Sequence, residues 1–238
     1  MTHRVPRLAA AALAIGLLAT ACGDDAGDGP SAASEQTTTT TAHEAEDHTA
    51  TATGAAGTQT GAAELRAGLT ALLTEHVYLA GGATGTAITS GLDSAETEAA
   101  TAALDDNSQA LADAVGSIYG DEAGEQFLSL WRAHIGFFVD YTAARAGGDD
   151  AAAEQAMADL DGYREDFGAF LASANPNLTK EAVADELAPH VQSLTAAIDA
   201  QVAGDPAAFG LLREAAGHMP MTAATLAGAF AEQFPEQF

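Results

Sequence analysis

Apolar residues recur at intervals of three and four along the chain from Ala62 onward. The first run contains Leu65, Leu69, Leu72 and Leu79, a spacing that places these side chains on one face of an α-helix. Five further runs with the same spacing follow. The apolar–polar alternation of a half-buried β-strand is not sustained between these runs, and alanine dominates them. The pattern therefore predicts an all-α fold with six helices.

Turn signals group the six helices into three αα-hairpins. Gly91-Leu92-Asp93, Gly147-Gly148-Asp149 and Gly204-Asp205-Pro206 each combine a helix-ending glycine with an acidic cap for the next helix. Gly120-Asp121 and Asn175-Pro176-Asn177 separate one hairpin from the next. We therefore expect the chain to run back and forth through three hairpins.

The hairpins also repeat in sequence. His76, His134 and His190 are 58 and 56 residues apart. A period near 56 residues indicates triplication of one hairpin. We expect a six-helix bundle over residues 62–238, with repeats at about 62–119, 121–175 and 179–234.

Each hairpin carries two marked residues at nearly equal distances from its own turn. They are His76 with Asn107, His134 with Tyr163, and His190 with His218. Equal distances from the turn of an antiparallel hairpin mean equal height along the bundle axis, and one residue of difference is only about 1.5 Å. Their spacing from apolar neighbours turns them inward. If the bundle closes, the four histidines face one interior layer, with Asn107 and Tyr163 beside them.

Such a layer predicts a metal site. Imidazoles in a core are costly unless they are hydrogen-bonded or bound to metal, and several of them suit a transition metal. Thioethers near His218 favour Cu(I). We expect copper, with zinc as the alternative ion. The candidate ligands are His76, His134, His190, His218, Met219, Met221 and Glu214.

Two other functions stay open at this stage. The layer can be a metal-free polar device that fixes helix register in a structural, interaction or ligand-sensing module, or the site of a metal-dependent oxidoreductase. The sequence contains no Gly-x-Ser-x-Gly elbow and no core cysteine. Gly81–Gly85 lies inside a predicted helix, which indicates close packing or a kink rather than a phosphate loop. A non-enzymatic role is therefore favoured, without a catalytic residue assigned.

The N-terminus is typical of an exported lipoprotein. Residues 1–21 carry Arg4 and Arg7 and then an uncharged apolar run, and they end in Leu18-Ala19-Thr20-Ala21 before Cys22. We expect removal of residues 1–21, acylation of Cys22 and anchoring at the outer face of the cytoplasmic membrane. An ordinary secretory signal is the alternative. Residues 22–61 lack large apolar side chains, which predicts a flexible tether. We interpret its two histidines, His43 and His48, as solvated.

Composition narrows the partners. The chain has 8 Lys+Arg against 34 Asp+Glu, a formal net charge of −26, which argues against nucleic acid. One cysteine excludes a disulfide scaffold and a Cys-rich zinc site. The expected partners are the membrane, through the lipid anchor, and an envelope protein whose identity the sequence leaves open.

Four segments resemble a family of secreted all-helical proteins of actinobacteria and bacilli. They are Leu72–Ala80, Gly116–Gly120, Trp131–His134 and His218-Met219. Some members carry a loose "copper amine oxidase-like" label, so the resemblance implies copper and an oxidase. The chain contains neither an Asn-Tyr step, which supplies the quinone-forming tyrosine of true copper amine oxidases, nor a His-x-His pair. The oxidase activity is therefore not carried over.

Overall fold

A computed structural model describes residues 60–238 of the chain. The predicted signal peptide, the acylation site Cys22 and all but the last two residues of the predicted tether lie outside the described residues. The described residues form six α-helices and no strand, as the apolar spacing predicts. The helices are α1 Gly61–Ser90, α2 Ala95–Tyr119, α3 Asp121–Gly147, α4 Asp150–Ala174, α5 Lys180–Ala203 and α6 Ala208–Gln233.

Short polar side chains cap the N-termini of several helices at the predicted breaks. Thr60, Asp149 and Thr179 each accept a backbone N–H of the first turn of α1, α4 and α5. The expected cap of α2, Asp93, is wrong by one residue, because Ser94 accepts the N–H of Thr97 instead. The expected acidic cap of α6 is also wrong, because Asp205 accepts the N–H of Ala207 before the helix and α6 begins without a side-chain cap from the described residues. Gly148 and Gly204 end α3 and α5 in the left-handed conformation, which only glycine adopts without strain.

The six helices close into a ring. Each helix packs against the next along the chain, and α6 packs against α1. The odd-numbered helices α1, α3 and α5 also contact one another across the middle of the ring. This arrangement confirms the predicted six-helix bundle of three hairpins. It places the first helix of every repeat at the centre, which is where the repeated histidines lie.

The interior contains two apolar clusters with a polar level between them. On α1, Leu69 and Leu73 belong to the first cluster, and Ala80 and Ala83 belong to the second. His76 lies between these two pairs. His134 on α3 and His190 on α5 likewise lie between residues of the two clusters, so the three histidines share one level.

Glycines allow close helix packing at three places, one of which is Gly124 on α3, where a Cβ atom would lie 2.9 Å from the Ala112 carbonyl oxygen of α2. A Cβ atom on Gly81 would overlap the side chain of Leu212, so α1 and α6 approach closely there. A Cβ atom on Gly168 would overlap the backbone carbonyl of Lys180 at the start of α5. The glycine-rich stretch of α1 is thus a packing feature, which is one of the two interpretations that the sequence leaves open.

The surface of the ring is polar and carries several ion pairs. Arg132 on α3 donates two hydrogen bonds to Asp105 on α2, at 2.7 and 2.8 Å. Arg145 on α3 donates to Asp199 on α5 at 2.7 Å. None of the helices within residues 60–238 is long and apolar enough to cross a bilayer.

Candidate functional site: a buried histidine layer

His76 and His134 form the centre of the site. Both side chains are buried, at 1% and 3% exposure. Their Nε2 atoms lie within hydrogen-bond distance of each other at 3.4 Å, with the tautomers deciding which ring donates, and the two rings are 5.3 Å apart between centroids. This pairing follows from the repeat, because the two residues occupy the same position on two helices that meet at the centre of the ring.

A cavity of about 50 Å³ adjoins this pair and collects further donors. His190 on α5 and Met219 on α6 line it together with His76 and His134. Both additional side chains are buried. Nitrogen donors from three repeats and one thioether therefore surround a single small space.

Aromatic rings fix the orientation of the two facing imidazoles. The Trp131 ring is 4.8 Å from that of His76 and 4.5 Å from that of His134. Tyr163 stacks on His134 at 4.7 Å, with an angle of 22° between the planes. From the sequence, Trp131 belongs to the resembling segment Trp131–His134 and has no predicted role in the site. Its place three residues before His134, on the same helical face, is the signal that could have assigned it to the site.

Burial keeps the imidazoles neutral. It lowers the pKa of His76 to about 3 and that of His190 to about 4, with smaller contributions from the charges of His190 and His218, respectively. Burial, followed by the charges of His76 and His190, also lowers the pKa of His134 well below its ordinary value. Neutral imidazole is the form that coordinates a metal ion.

Several polar atoms in this layer lack a hydrogen-bond partner among the described residues. They are the Nδ1 atoms of His76, His134 and His190, the Tyr163 hydroxyl and the Trp131 Nε1. Such atoms are rare in native interiors, and each one calls for a ligand, a bound water or an ion. Burial also raises the pKa of Tyr163 well above its ordinary value, so this phenol keeps its proton.

Asn107 is buried beside His76 but is held by the neighbouring helix. Its Nδ2 donates to the Leu72 carbonyl at 3.0 Å and to Glu75 Oε2 at 2.9 Å. Asn107 therefore ties α2 to α1 at the level of the histidines. Its Oδ1 atom has no hydrogen-bond partner among the described residues.

The remaining candidate ligands lie farther out. His218 is half-buried, although it is near enough for its charge to lower the pKa of His190. Met221 is 64% exposed, and Glu214 is exposed. The structure thus gathers three of the four candidate histidines and one of the two methionines around the cavity. Within residues 60–238, no three His, Cys, Asp or Glu side chains are grouped closely enough to hold a metal ion by themselves.

Comparisons of the chain with protein-family models, with curated proteins and with solved structures find no match. The class of protein is therefore defined by the architecture alone. It is an all-α ring of three repeated hairpins with a histidine level at its centre.

Proposed function

We propose that the protein binds one copper ion, as Cu(I), in the buried histidine layer, and that it stores, delivers or senses copper at the cell envelope. The Nε2 atoms of His76 and His134 are the first two ligands. Met219, which lines the same cavity, completes the coordination. Cys22 and the tether would hold the bundle at the membrane, as the sequence predicts.

The separation of the two Nε2 atoms carries this proposal. Two imidazole nitrogens at about 2.0–2.1 Å from one ion of trigonal or tetrahedral geometry lie about 3.3–3.6 Å apart. The observed 3.4 Å falls within this range. Two ligands in a linear arrangement would be about 4 Å apart at the same bond length. The spacing therefore favours an ion with a third donor, for which the Met219 thioether in the same cavity is the candidate.

The charge of the cavity favours Cu(I) over divalent ions. The described residues that line it include neutral histidines and one thioether but no carboxylate. Burying a charge without a compensating counter-charge is costly, and the cost rises steeply with the charge of the ion. A monovalent soft ion suits neutral nitrogen and thioether donors, whereas zinc would bring two uncompensated charges. The sequence leaves both copper and zinc open as the bound ion, and the absence of a carboxylate among the described residues that line the cavity supports copper.

A Cu(I) competition titration against a coloured chelator, with metal-free protein that carries no His tag, tests whether copper binds and how tightly. We expect one tight site per chain. At a free copper concentration of about 100 times the dissociation constant, the bound ion should raise the free energy of unfolding by about 2.7 kcal/mol. Thermal unfolding with and without copper measures this gain.

Variants separate the layer from the tether. His134→Ala removes one of the two facing nitrogens and should abolish most of the copper-induced stabilisation. His43→Ala and His48→Ala change only tether histidines and should leave it intact. Binding of much less than one copper ion per chain by the wild-type protein would contradict the proposal. Equal copper-induced gains in the free energy of unfolding in the wild type and His134→Ala would contradict it as well.

A further inference from the structure

A second, larger cavity lies between the first three helices. Its volume is about 130 Å³, and residues of α1, α2, α3 and the first turn line it. Leu92, in the turn between α1 and α2, belongs to the wall and is 48% exposed. The cavity therefore reaches from the buried His76 toward the surface at this turn.

Small residues in the first repeat create this space. The residue four positions after the repeated histidine is Phe138 in the second repeat and Leu194 in the third, but it is Ala80 in the first. The residue seven positions after it is Tyr141 in the second repeat, but it is alanine in both the first and the third, as Ala83 and Ala197. Ala80 and Ala83 both line the cavity. The first repeat thus lacks the large side chain that both other repeats place four residues after the histidine, and at the next position it lacks the bulk of Tyr141.

The walls of the cavity are apolar in effect, although four threonines contribute to them. The hydroxyl groups of Thr84, Thr97, Thr101 and Thr142 all donate to other groups of the protein. Three of these hydroxyls donate to backbone carbonyls only, and that of Thr84 also donates to Gln201. The threonines therefore have no unmet donor to offer to a ligand, and their hydroxyl oxygens remain only as acceptors.

His76 supplies the one unsatisfied polar group of the wall. It lines both cavities, and its Nε2 faces His134. Its Nδ1 is buried and has no partner among the described residues. Of the residues that line the larger cavity, His76 alone has such an orphaned side-chain atom in the described part of the chain.

We propose that this cavity binds a small, neutral, mostly apolar molecule, about the size of a six-membered ring, whose single polar group bonds His76 Nδ1. An engineered apolar cavity of about 150 Å³ takes up benzene, and the volume of about 130 Å³ in this protein is comparable. A hydroxyl group on the ring serves either tautomer of His76, because it both donates and accepts a hydrogen bond. This site shares His76 with the proposed copper position but uses its other ring nitrogen, and it needs no metal.

Phenol and benzene are the probes for the test. Each is titrated into the metal-free full chain, and binding is followed through the backbone amide signals of Leu92, Thr97 and Ile135 by NMR. We expect saturable binding of one molecule per chain. Phenol should bind about tenfold more tightly than benzene, because it adds one hydrogen bond to a buried orphan atom.

Three variants in which an alanine is replaced by a larger residue locate the binding site. Ala80→Leu introduces the residue of the third repeat and should weaken phenol binding at least tenfold. Ala83→Val adds less bulk to the same wall and serves if Ala80→Leu does not fold. Ala99→Leu adds the same side chain at an exposed position of α2 and should leave binding unchanged.

The proposal is overturned if phenol gives no saturable shifts, or if the cavity-filling variants bind phenol as tightly as the wild type. Equal affinities for phenol and benzene would remove the role assigned to His76 Nδ1. None of these results depends on copper. A protein that binds phenol but no copper would therefore contradict only the proposed function.

Discussion

At the residue scale, the central feature is a set of imidazoles that the fold buries and leaves under-bonded. His76 and His134 face each other through Nε2, and their Nδ1 atoms lack partners among the described residues. A core filled only by apolar side chains would avoid this cost. The burial of several neutral imidazoles at one level of the core is the reason for assigning them a ligand.

The same burial makes the stability of the metal-free protein depend on pH. The pKa is about 3 for folded His76 and about 4 for folded His190, whereas an unfolded histidine has a pKa of about 6.5. Below pH 6.5 these histidines become protonated in the unfolded chain but stay neutral in the folded protein. Stability is therefore full above about pH 6.5 and falls as the pH drops toward 4. Each buried histidine contributes up to about 1.4 kcal/mol per pH unit.

Urea unfolding at pH 7.5, 6 and 5 measures this slope. His134→Phe should reduce the slope of the free energy of unfolding against pH by the contribution of one histidine. The reason is that the substitution removes one buried imidazole whose pKa is lowered in the folded protein. His43→Ala should leave the slope unchanged. Identical slopes in the wild type and His134→Phe would mean that the buried imidazole accepts protons in the folded state.

At the element scale, close helix packing depends on individual glycines. Gly168 on α4 faces the backbone carbonyl of Lys180, which a small side-chain movement cannot relieve. Gly162, on the same helix, has nothing within 4 Å of the position of a Cβ atom. The two glycines form a matched pair in one helix with opposite expected effects.

Gly168→Ala should destabilise the bundle by about 1–3 kcal/mol, because α4 and α5 must separate to admit the methyl group. Gly162→Ala should stabilise it by up to about 1 kcal/mol through helix propensity. Urea denaturation at neutral pH compares the two variants with the wild type. Stabilisation by both substitutions would show that α4 and α5 are not packed as closely as described.

The sequence predicts much at this scale. Apolar spacing and glycine-rich turns predict six helices, and counting from each turn predicts the common level of His76, His134 and His190. Counting does not predict the rotation of a helix about its axis, which leaves His218 half-buried and Met221 exposed while Met219 lies inside. The 3.4 Å approach of two Nε2 atoms and the cavity beside Ala80 depend on side-chain packing, which periodicity does not contain.

At the scale of the whole molecule, the helical ring contains the proposed site, and the sequence that precedes it carries the predicted lipid anchor. The three central helices each supply one histidine to the level between the two apolar clusters. A long acidic and threonine-rich segment precedes the ring in sequence. A lipid at Cys22 would hold the acidic bundle near a membrane whose anionic lipids repel it.

Cys22→Ser tests the anchor independently of the site. Without the thiol, the chain should appear in the medium or remain as an unprocessed precursor, whereas the wild-type chain should fractionate with the membrane. Membrane fractionation and mass spectrometry of the N-terminus distinguish these forms. A wild-type chain that is already free and unacylated would leave the segment as an ordinary N-terminal tail.

The central claim is that copper binds between His76 and His134, and anomalous diffraction at the copper edge tests it most directly. A crystal of protein loaded with one equivalent of Cu(I) should show a single strong peak about 2.0 Å from both Nε2 atoms. The two nitrogens should remain close to their present 3.4 Å separation. A copper peak at the tether histidines or on the bundle surface, with none in the layer, would contradict the account.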